Sequence, residues 1–410
     1  MTGRLHDMLD ELAGDPASVP DPDQLIARDR SRRRRRIAMV APVVVTAVAV
    51  GAGTVVATWP QERPRPPAVR QTPSNPPVVD AKEPIAAGRL PWLPKVVERP
   101  DTATPLPGRP VGKGSLVYVG CRGTCGTYLM TTDGAQYQLR GVGSPYQGAS
   151  LSPDGRWLGL RGEKGYLLRD LSGTTVREFP ASRPDEPVGW SADGKWLVIP
   201  TDAEGGQLLI DASTGESWPF VDDQPLTGVL PSGQVVASPE GYDPAVGGNS
   251  GSYRLPLLDP RTGEKSHLRI DLRGALRPDE SLDLVSGWAA RSDGEVAAFT
   301  VRRTVDPDAG TTVGEDVVLV DLATGKVSHR IDLPTSRLGP VPEDPNDSPP
   351  SMDARHVVAY LKQGVLLAHH QISSNHVEFE LLDPKTGKRR LVTVLRDSWR
   401  YLVRGANPIS

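Results

Sequence analysis

The sequence has 410 residues, of which 38% are hydrophobic and 24% are charged, with a formal net charge of -3. A chain of this length has room for about two or three average domains, or for one large domain with appendages. The small net charge gives no support to nucleic acid as a partner. The 42 glycines and 41 prolines indicate many turns, a proline-rich segment, or both.

An apolar run without charged side chains occupies residues 37–58, which is 22 positions. As a helix the run is about 33 Å long, enough to cross a hydrocarbon core of roughly 30 Å. Five consecutive arginines precede it at positions 32–36, and arginines are sparser after it. This asymmetry predicts a single-pass plasma-membrane protein with residues 1–36 in the cytoplasm and the remainder outside. A cleaved signal peptide is the alternative, and it also leaves the C-terminal part outside.

The predicted cytoplasmic tail contains one amphipathic segment. Leu5, Met8, Leu9 and Leu12 follow the i, i+3, i+4, i+7 spacing of a single helix face. A tail of 36 residues is too short to bury that face in a core of its own. The tail is therefore either a frayed, partly helical segment or a docking helix for a cytoplasmic protein.

Residues 59–112 are rich in proline, with 14 prolines between positions 60 and 110. Such a composition favours extended, polyproline-like backbone and predicts a semi-rigid extracytoplasmic linker. The folded domain is then expected to occupy residues 113–410. The more apolar stretch at residues 90–94 is the part of the linker best suited to lie against that domain.

The chain has two cysteines, Cys121 and Cys125, near the start of this domain. No histidine or further cysteine lies close enough in the sequence to complete a zinc site with them. Free thiols and a small disulfide are both compatible with the spacing. Because no reductant protects such a pair outside the cytoplasm, the topology favours the disulfide.

A two-part pattern recurs from about residue 115 onwards. Its first part is an Asp-Gly turn with an apolar residue two places after the glycine. Clear copies contain Asp154 and Gly155, Asp193 and Gly194, and Asp293 and Gly294. Its second part is an apolar strand that ends in aspartate, followed by a turn that closes on Thr-Gly. These copies contain Asp211 and Gly215, Asp259 and Gly263, Asp321 and Gly325, and Asp383 and Gly387.

The two parts together describe hairpins. Aspartate accepts backbone N–H bonds in the turn, and glycine supplies the positive φ that a tight turn needs. Six strand–turn–strand copies at roughly 40–60 residue spacing predict an all-β repeat architecture, and its period favours a β-propeller. Six blades are favoured, and seven remain open if residues 84–112 supply a worn first blade. Residues 399–403 are left over after the sixth copy and are expected to close the ring.

The Ser-Pro-Asp-Gly-x-Trp turn at residues 152–157 and the Asp-x-x-Thr-Gly turns resemble those of bacterial WD-repeat-like and TolB-type propellers. The resemblance covers about residues 113–404 and implies the propeller fold, not a chemistry. More loosely, the arginine-rich tail, single span and outer propeller resemble actinobacterial membrane proteins associated with extracytoplasmic-function sigma factors. That layout implies a signalling role.

Catalytic signatures are absent from the sequence, which has no Gly-x-Ser-x-Gly, His-Glu-x-x-His or P-loop motif. His369, His370 and His376 form the single histidine cluster, and their apolar neighbours favour a strand and loop over a metal site. Insertions at residues 239–252, 304–316 and 335–350 are expected to lie on a rim and to contact a protein or cell-envelope ligand.

These features predict a membrane-anchored binding or sensing module without enzyme activity, cofactor or metal. An anchored envelope scaffold or assembly protein is one alternative. A propeller hydrolase or lyase is another, and it requires carboxylates or histidines that converge in the central channel.

Overall fold

The computed structural model describes residues 75–81, 85–122, 124–140, 149–161, 165–180, 189–201, 206–222, 224, 226–239, 251–284, 287–306, 311–334, 354–371, 376–396, 398 and 401–403. The amphipathic segment of the tail, the apolar run at 37–58 and the first part of the proline-rich segment lie outside these residues. Within the described ranges, no helix has the length and apolar character needed to span a bilayer.

The described residues form 29 strands, numbered in chain order. They are β1 (Val78–Asp80), β2 (Ala86–Ala87), β3 (Val96–Val97), β4 (Thr104–Pro105), β5 (Gly114–Arg122), β6 (Thr124–Thr131), β7 (Gln136–Gln138), β8 (Ser150–Leu151), β9 (Trp157–Arg161), β10 (Tyr166–Asp170), β11 (Val176–Phe179), β12 (Gly189–Trp190), β13 (Trp196–Pro200), β14 (Gly206–Asp211) and β15 (Ser217–Val221). The remainder are β16 (Leu226–Val229), β17 (Val235–Ala237), β18 (Ser252–Asp259), β19 (Glu264–Asp271), β20 (Glu280–Leu282), β21 (Trp288–Ala290), β22 (Val296–Asp306), β23 (Thr311–Asp321), β24 (Val327–Asp332), β25 (Ala354–Leu361), β26 (Gly364–Gln371), β27 (His376–Leu382), β28 (Arg389–Arg396) and β29 (Tyr401–Val403).

These strands form six sheets, each built on a four-stranded antiparallel meander. Blade I contains β29, β5, β6 and β7; blades II, III and IV contain β8–β11, β12–β15 and β16–β19. Blade V contains β20 and β21, which both pair with β22, then β23 and β24, and blade VI contains β25–β28. Six such sheets arranged as blades make the β-propeller that the repeats predict, and no seventh sheet is formed by the described part of residues 84–112.

Six apolar clusters lie at the six boundaries between neighbouring blades. Trp157 and Trp190, for example, belong to the cluster between blades II and III. Tyr118 and Phe379 belong to the cluster that joins blade I to blade VI. Full burial of a large apolar side chain contributes about 1.5–3 kcal/mol. Since every blade shares a cluster with both of its neighbours, the sheets form a closed ring.

The last strand closes the ring inside the first blade. Tyr401 and Val403 of β29 are paired antiparallel with Tyr118 and Leu116 of β5. The strand thus supplies the innermost position of blade I, as the sequence predicts for residues 399–403. The first blade is therefore built from both ends of the domain.

The predicted linker is wrong for its described part. Strands β1, β2, β3 and β4 add in parallel to the outer edges of β24, β28, β28 and β7. Leu90, Leu93 and Val97 are buried in the cluster between blades VI and I. The reason is that extended, proline-interrupted backbone has the reach of a strand, and the outermost strand of a blade offers unpaired N–H and C=O groups. The propeller therefore begins before residue 113.

The repeat motifs form the hairpin turns at one end of the blades. In the first type, Asp154 accepts the backbone N–H of Arg156 at 2.9 Å, and Gly155 has a φ of 72°. In the second type, Asp211 accepts the backbone N–H of Ser213 at 2.8 Å. The same aspartate-to-backbone bonds recur at Asp170, Asp193, Asp259, Asp293, Asp321 and Asp383. Positive φ recurs at Gly194, Gly215, Gly263, Gly294, Gly325 and Gly387.

The meander gives the propeller two different faces. Turns between the first and second, and between the third and fourth, strands of a blade lie at one end, which we call the turn face. Connections between the second and third strands, and from one blade to the next, lie at the other end, the loop face. The strand ends that flank residues 240–250, 307–310 and 335–353 lie at the loop face. The described strand ends at all three sequence insertions therefore lie on one side of the ring.

Deletion of residues 399–410 removes β29, so we expect it to open the ring and expose the edge of β5. An open edge of this kind pairs with other chains, so the truncated protein should form large oligomers in size-exclusion chromatography and lose its cooperative thermal transition.

Deletion of residues 404–410 alone keeps β29 and serves as the control, which should remain unchanged. An unchanged melting temperature and elution volume for the longer deletion would contradict the closure.

Candidate functional site

A disulfide hairpin marks the loop face of blade I. Cys121 on β5 and Cys125 on β6 are directly opposed in the strand register, and a disulfide bond joins them. Cys125 is exposed and Cys121 is half-buried. The crosslink closes a very short loop, so it mainly holds the tip of this hairpin in one conformation, and it contributes little to global stability.

A second feature lies at the inner edge of the same face, across the boundary between blades VI and I. The hydroxyl of Tyr401 lies 3.0 Å from Nε2 of His356 and 3.0 Å from Nε2 of His370. The two imidazole rings are stacked with centroids 5.3 Å apart, and the ring of Phe379 meets Tyr401 edge-on. We call His356, His370 and Tyr401 the inner histidine site.

The Tyr401 hydroxyl has a single proton, so it cannot donate a hydrogen bond to both His356 and His370. The hydroxyl donates to one imidazole and accepts from the other, so one ring carries its proton on Nε2 and the other does not. The site is thus a short chain of hydrogen bonds between two neutral imidazoles. Such a chain is directional, and reversing it requires both rings to change tautomer.

Burial, with a smaller contribution from the neighbouring His370, lowers the pKa of His356 to about 3. Burial also lowers the pKa of His370 to about 4, with a smaller contribution from His369. Desolvation disfavours the charged imidazolium because a buried ring loses the water that would stabilise its charge. Both rings are therefore neutral at physiological pH.

A buried ion pair in blade V completes this region. Asp283 lies between β20 and β21, where the innermost strand of the blade is interrupted, and it accepts a hydrogen bond from Arg302 at 2.6 Å. The Asp283 carboxylate also favours the charged form of His356, although burial outweighs it. Next to this pair, the backbone N–H of Val357 donates to the Thr300 hydroxyl at 2.8 Å and ties blade VI to blade V.

The arrangement offers hydrogen bonding and little else by way of chemistry. The carboxylate of Asp283 is engaged by Arg302, and the Tyr401 hydroxyl is engaged by both histidines. No serine, cysteine or carboxylate is placed as a nucleophile beside either imidazole by the contacts of the described residues.

The structure separates the histidines that the sequence places together. His370 and His369 are adjacent on β26, so their side chains point to opposite faces of the sheet. His370 turns to Tyr401, whereas His369 turns towards blade V. No sequence pattern pointed to His356, Asp283 or Tyr401. Pairing of β25 with β26 brings His356 near His370, and ring closure brings Tyr401 to both histidines.

No protein-family model and no curated protein matches the sequence. Among solved structures, the chain is similar to TolB from Acinetobacter baumannii, with 17% identity, a TM-score of 0.39, and coverage of 72% of this chain and 68% of that one. It is also similar to a putative TolB from Agrobacterium tumefaciens, with 14% identity, a TM-score of 0.38, and coverage of 71% and 92%. A third similar structure is an oligogalacturonate lyase in complex with manganese, with 14% identity, a TM-score of 0.34, and coverage of 69% of this chain and 75% of that one. The fold assignment rests on the six sheets and their clusters.

The inner histidine site predicts a specific pH dependence. An unfolded histidine has a pKa of about 6.5, so between pH 7 and 5 the unfolded chain binds protons that the folded histidines do not. Stability is therefore present above pH 6.5 and is lost as the pH falls towards 4. With a discount for the partial solvent exposure of both rings, we expect a loss of about 1–2 kcal/mol between pH 7 and 5 from this pair.

Urea unfolding of the full chain at pH 7 and pH 5 measures this loss. The double substitution His356→Gln and His370→Gln should flatten the difference between the two pH values, while His267→Gln, at an exposed strand position, should leave it unchanged. An equal pH dependence in all three proteins would show that the pair does not titrate as described.

Proposed function

We propose that this chain is a membrane-anchored binding module whose extracytoplasmic propeller recognises a protein or cell-envelope ligand through its loop face. The single observation that supports this function is the difference between the two faces of the ring. The proposal includes the predicted topology, with residues 1–36 in the cytoplasm and residues 37–58 as the membrane span.

The aspartates of the turn face are engaged in hydrogen bonds within their own turns. Their carboxylate oxygens accept backbone N–H groups, as those of Asp154 and Asp211 do. The short hairpins of this face therefore leave few groups for a ligand. Repeated structural turns at one end and variable segments at the other are typical of propellers that bind through one rim.

The loop face has the features of a recognition surface. It carries the disulfide hairpin of Cys121 and Cys125 and the strand ends that flank the three insertions. It also presents Val221, whose surface is 62% exposed, one of the most exposed large apolar residues in the described part of the chain. The inner histidine site lies at the inner edge of the same face.

Two alternatives remain in view. A hydrolase or lyase needs converging acid and base groups, and the polar groups of the inner histidine site are already engaged with one another. An anchored scaffold needs a stable ring and a membrane span, but no docking segment in the cytoplasm. The tail and the loop face therefore decide between these functions.

Site-specific photocrosslinking in native membranes tests the loop face. A photoreactive amino acid is placed at Val221 or Arg254 on the loop face, and at Val176 or Lys385 on the turn face. Val176 is a matched control because it is 57% exposed and also lies on the outermost strand of a blade. We expect a discrete crosslinked species from the loop-face positions and none from the turn-face positions.

Equal crosslinking from both faces, or crosslinking from the turn face alone, would contradict recognition through the loop face. No crosslink at any position would favour the scaffold. Protease added to intact cells checks the topology in the same samples, since it should degrade the propeller and spare the tail.

The cytoplasmic tail gives a separate prediction. The apolar face of Leu5, Met8, Leu9 and Leu12 suits the groove of a partner protein, so Leu9→Asp with Leu12→Asp should abolish the association with a cytoplasmic regulator. The measurement is recovery of partners by pull-down with the wild-type and double-mutant full chains. Gly3→Asp with Gly14→Asp adds the same charge on the opposite side of the predicted helix and is the control.

If the wild-type and Leu9→Asp, Leu12→Asp chains recover the same proteins, the coupling of the propeller to a cytoplasmic partner is wrong. The loop-face experiment is independent of that outcome.

A further inference from the structure

A second cluster of titratable side chains lies in blade VI, on the sheet face opposite the inner histidine site. His376, Glu378 and Glu380 occupy alternate positions of β27, and His369 of β26 is paired with Glu378 in the strand register. Because side chains alternate along a strand, these groups share one face of the sheet. Leu382 continues that face into the cluster between blades V and VI.

The ligand atoms of three of these residues converge. Nδ1 of His369 lies 3.6 Å from Oε2 of Glu378 and 3.7 Å from Oε1 of Glu380. One donor atom from each of the three residues lies within 4.8 Å of the others. A tetrahedral zinc ion with bonds of about 2.0–2.2 Å holds its ligands about 3.3 Å apart. Only small side-chain movements separate the observed arrangement from that geometry.

Burial gives an independent indication that something binds here. His369 is 7% exposed and Glu380 is 0% exposed. Among the described residues, both ring nitrogens of His369 and Oε1 of Glu380 lack a hydrogen-bond partner. Buried polar atoms are rarely left in this state. A cation between the imidazole and the carboxylates would satisfy Nδ1 of His369 and Oε1 of Glu380 together.

The surroundings hold Glu380 in the orientation that such an ion needs. Arg389 donates to Oε2 of Glu380 at 2.9 Å and to the carbonyl of Ala81 at 2.8 Å, so the other carboxylate oxygen is turned towards His369. Arg355 donates to the carbonyl of Pro334 at 3.0 Å, and its Nε lies 3.5 Å from Oε1 of Glu380, beyond the usual range of a hydrogen bond. Hydrogen bonds of this kind orient metal-ligating carboxylates. The two guanidinium groups also add positive charge, which predicts moderate metal affinity.

We infer that His369, Glu378 and Glu380 bind one divalent transition-metal ion, and that His376 is its fourth ligand or lies beside an open position. One or two imidazoles with two carboxylates form a donor set that suits zinc. Nε2 of His376 lies 3.8 Å from Oε1 of Glu378. The ion crosslinks β26 and β27 near their ends at the loop face. This inference differs from the sequence-based expectation that the histidine cluster belongs to a strand and loop.

Zinc titration of the full chain, purified in detergent after treatment with a chelator, tests this site. Isothermal titration calorimetry should give one zinc ion per chain, and bound zinc should raise the melting temperature. His369→Gln and Glu378→Gln should each weaken binding by at least about 10–100-fold, the scale on which even outer ligand-orienting groups act. His267→Gln removes an exposed strand histidine and should bind zinc as the wild type does.

If His369→Gln fails to fold, Glu378→Gln still tests the site, because Glu378 is half-buried and glutamine has nearly the same shape. Circular dichroism confirms that each variant tested is folded. The inference is overturned if the wild type binds no zinc. It is also overturned if folded Glu378→Gln binds zinc as tightly as His267→Gln does.

Discussion

Closure of the ring is the constraint on which the rest of the structure depends. A blade of four strands is apolar on both faces, and it is stable only when a neighbour covers each of them. Five of the six boundaries join blades that follow one another in the chain, but the sixth joins blade VI to blade I and requires both ends of the domain. Its cluster takes Leu90 and Val97 from the N-terminal segment, Tyr118 from the first blade, and Phe379 and Tyr401 from the last part. Antiparallel pairing of β29 with β5 holds these parts together.

Most of the propeller could be predicted from the sequence because its turns are formed by residues that are neighbours in the chain. An aspartate followed by glycine at the right spacing needs nothing distant to form its turn, so Asp154, Asp211 and their equivalents could be assigned without a structure. The strands β1–β4 could not be assigned in that way. They are two or three residues long, are interrupted by prolines, and pair in parallel with strands far along the chain, as Val79 does with Ile331. A local pattern of apolar residues cannot indicate pairing with a strand so distant in the sequence.

The functional regions show the same limit in a different form. His370 and Tyr401 meet across the closing boundary, so their contact depends on the completed ring and leaves no trace in either local sequence. Part of the cluster of His369, Glu378 and Glu380 could have been predicted, because His376, Glu378 and Glu380 alternate along one strand. What the sequence could not supply was the partner strand and its register, which place His369 opposite Glu378. It also could not distinguish His369 from His370, whose adjacent positions conceal opposite orientations.

The outer strands have a consequence for the order of events during synthesis. Val78 pairs with Arg330, and Ala86 pairs with Arg390. The backbone of β1 and β2, which is synthesised first, therefore remains unpaired until β24 and β28 have been synthesised. Blades II, III and IV draw on consecutive stretches of chain and can form as they emerge. Blades I, V and VI are completed only when distant segments meet, and such long-range pairing is slow. During that interval the prolines of this N-terminal segment limit the edge pairing with other nascent chains that would otherwise compete.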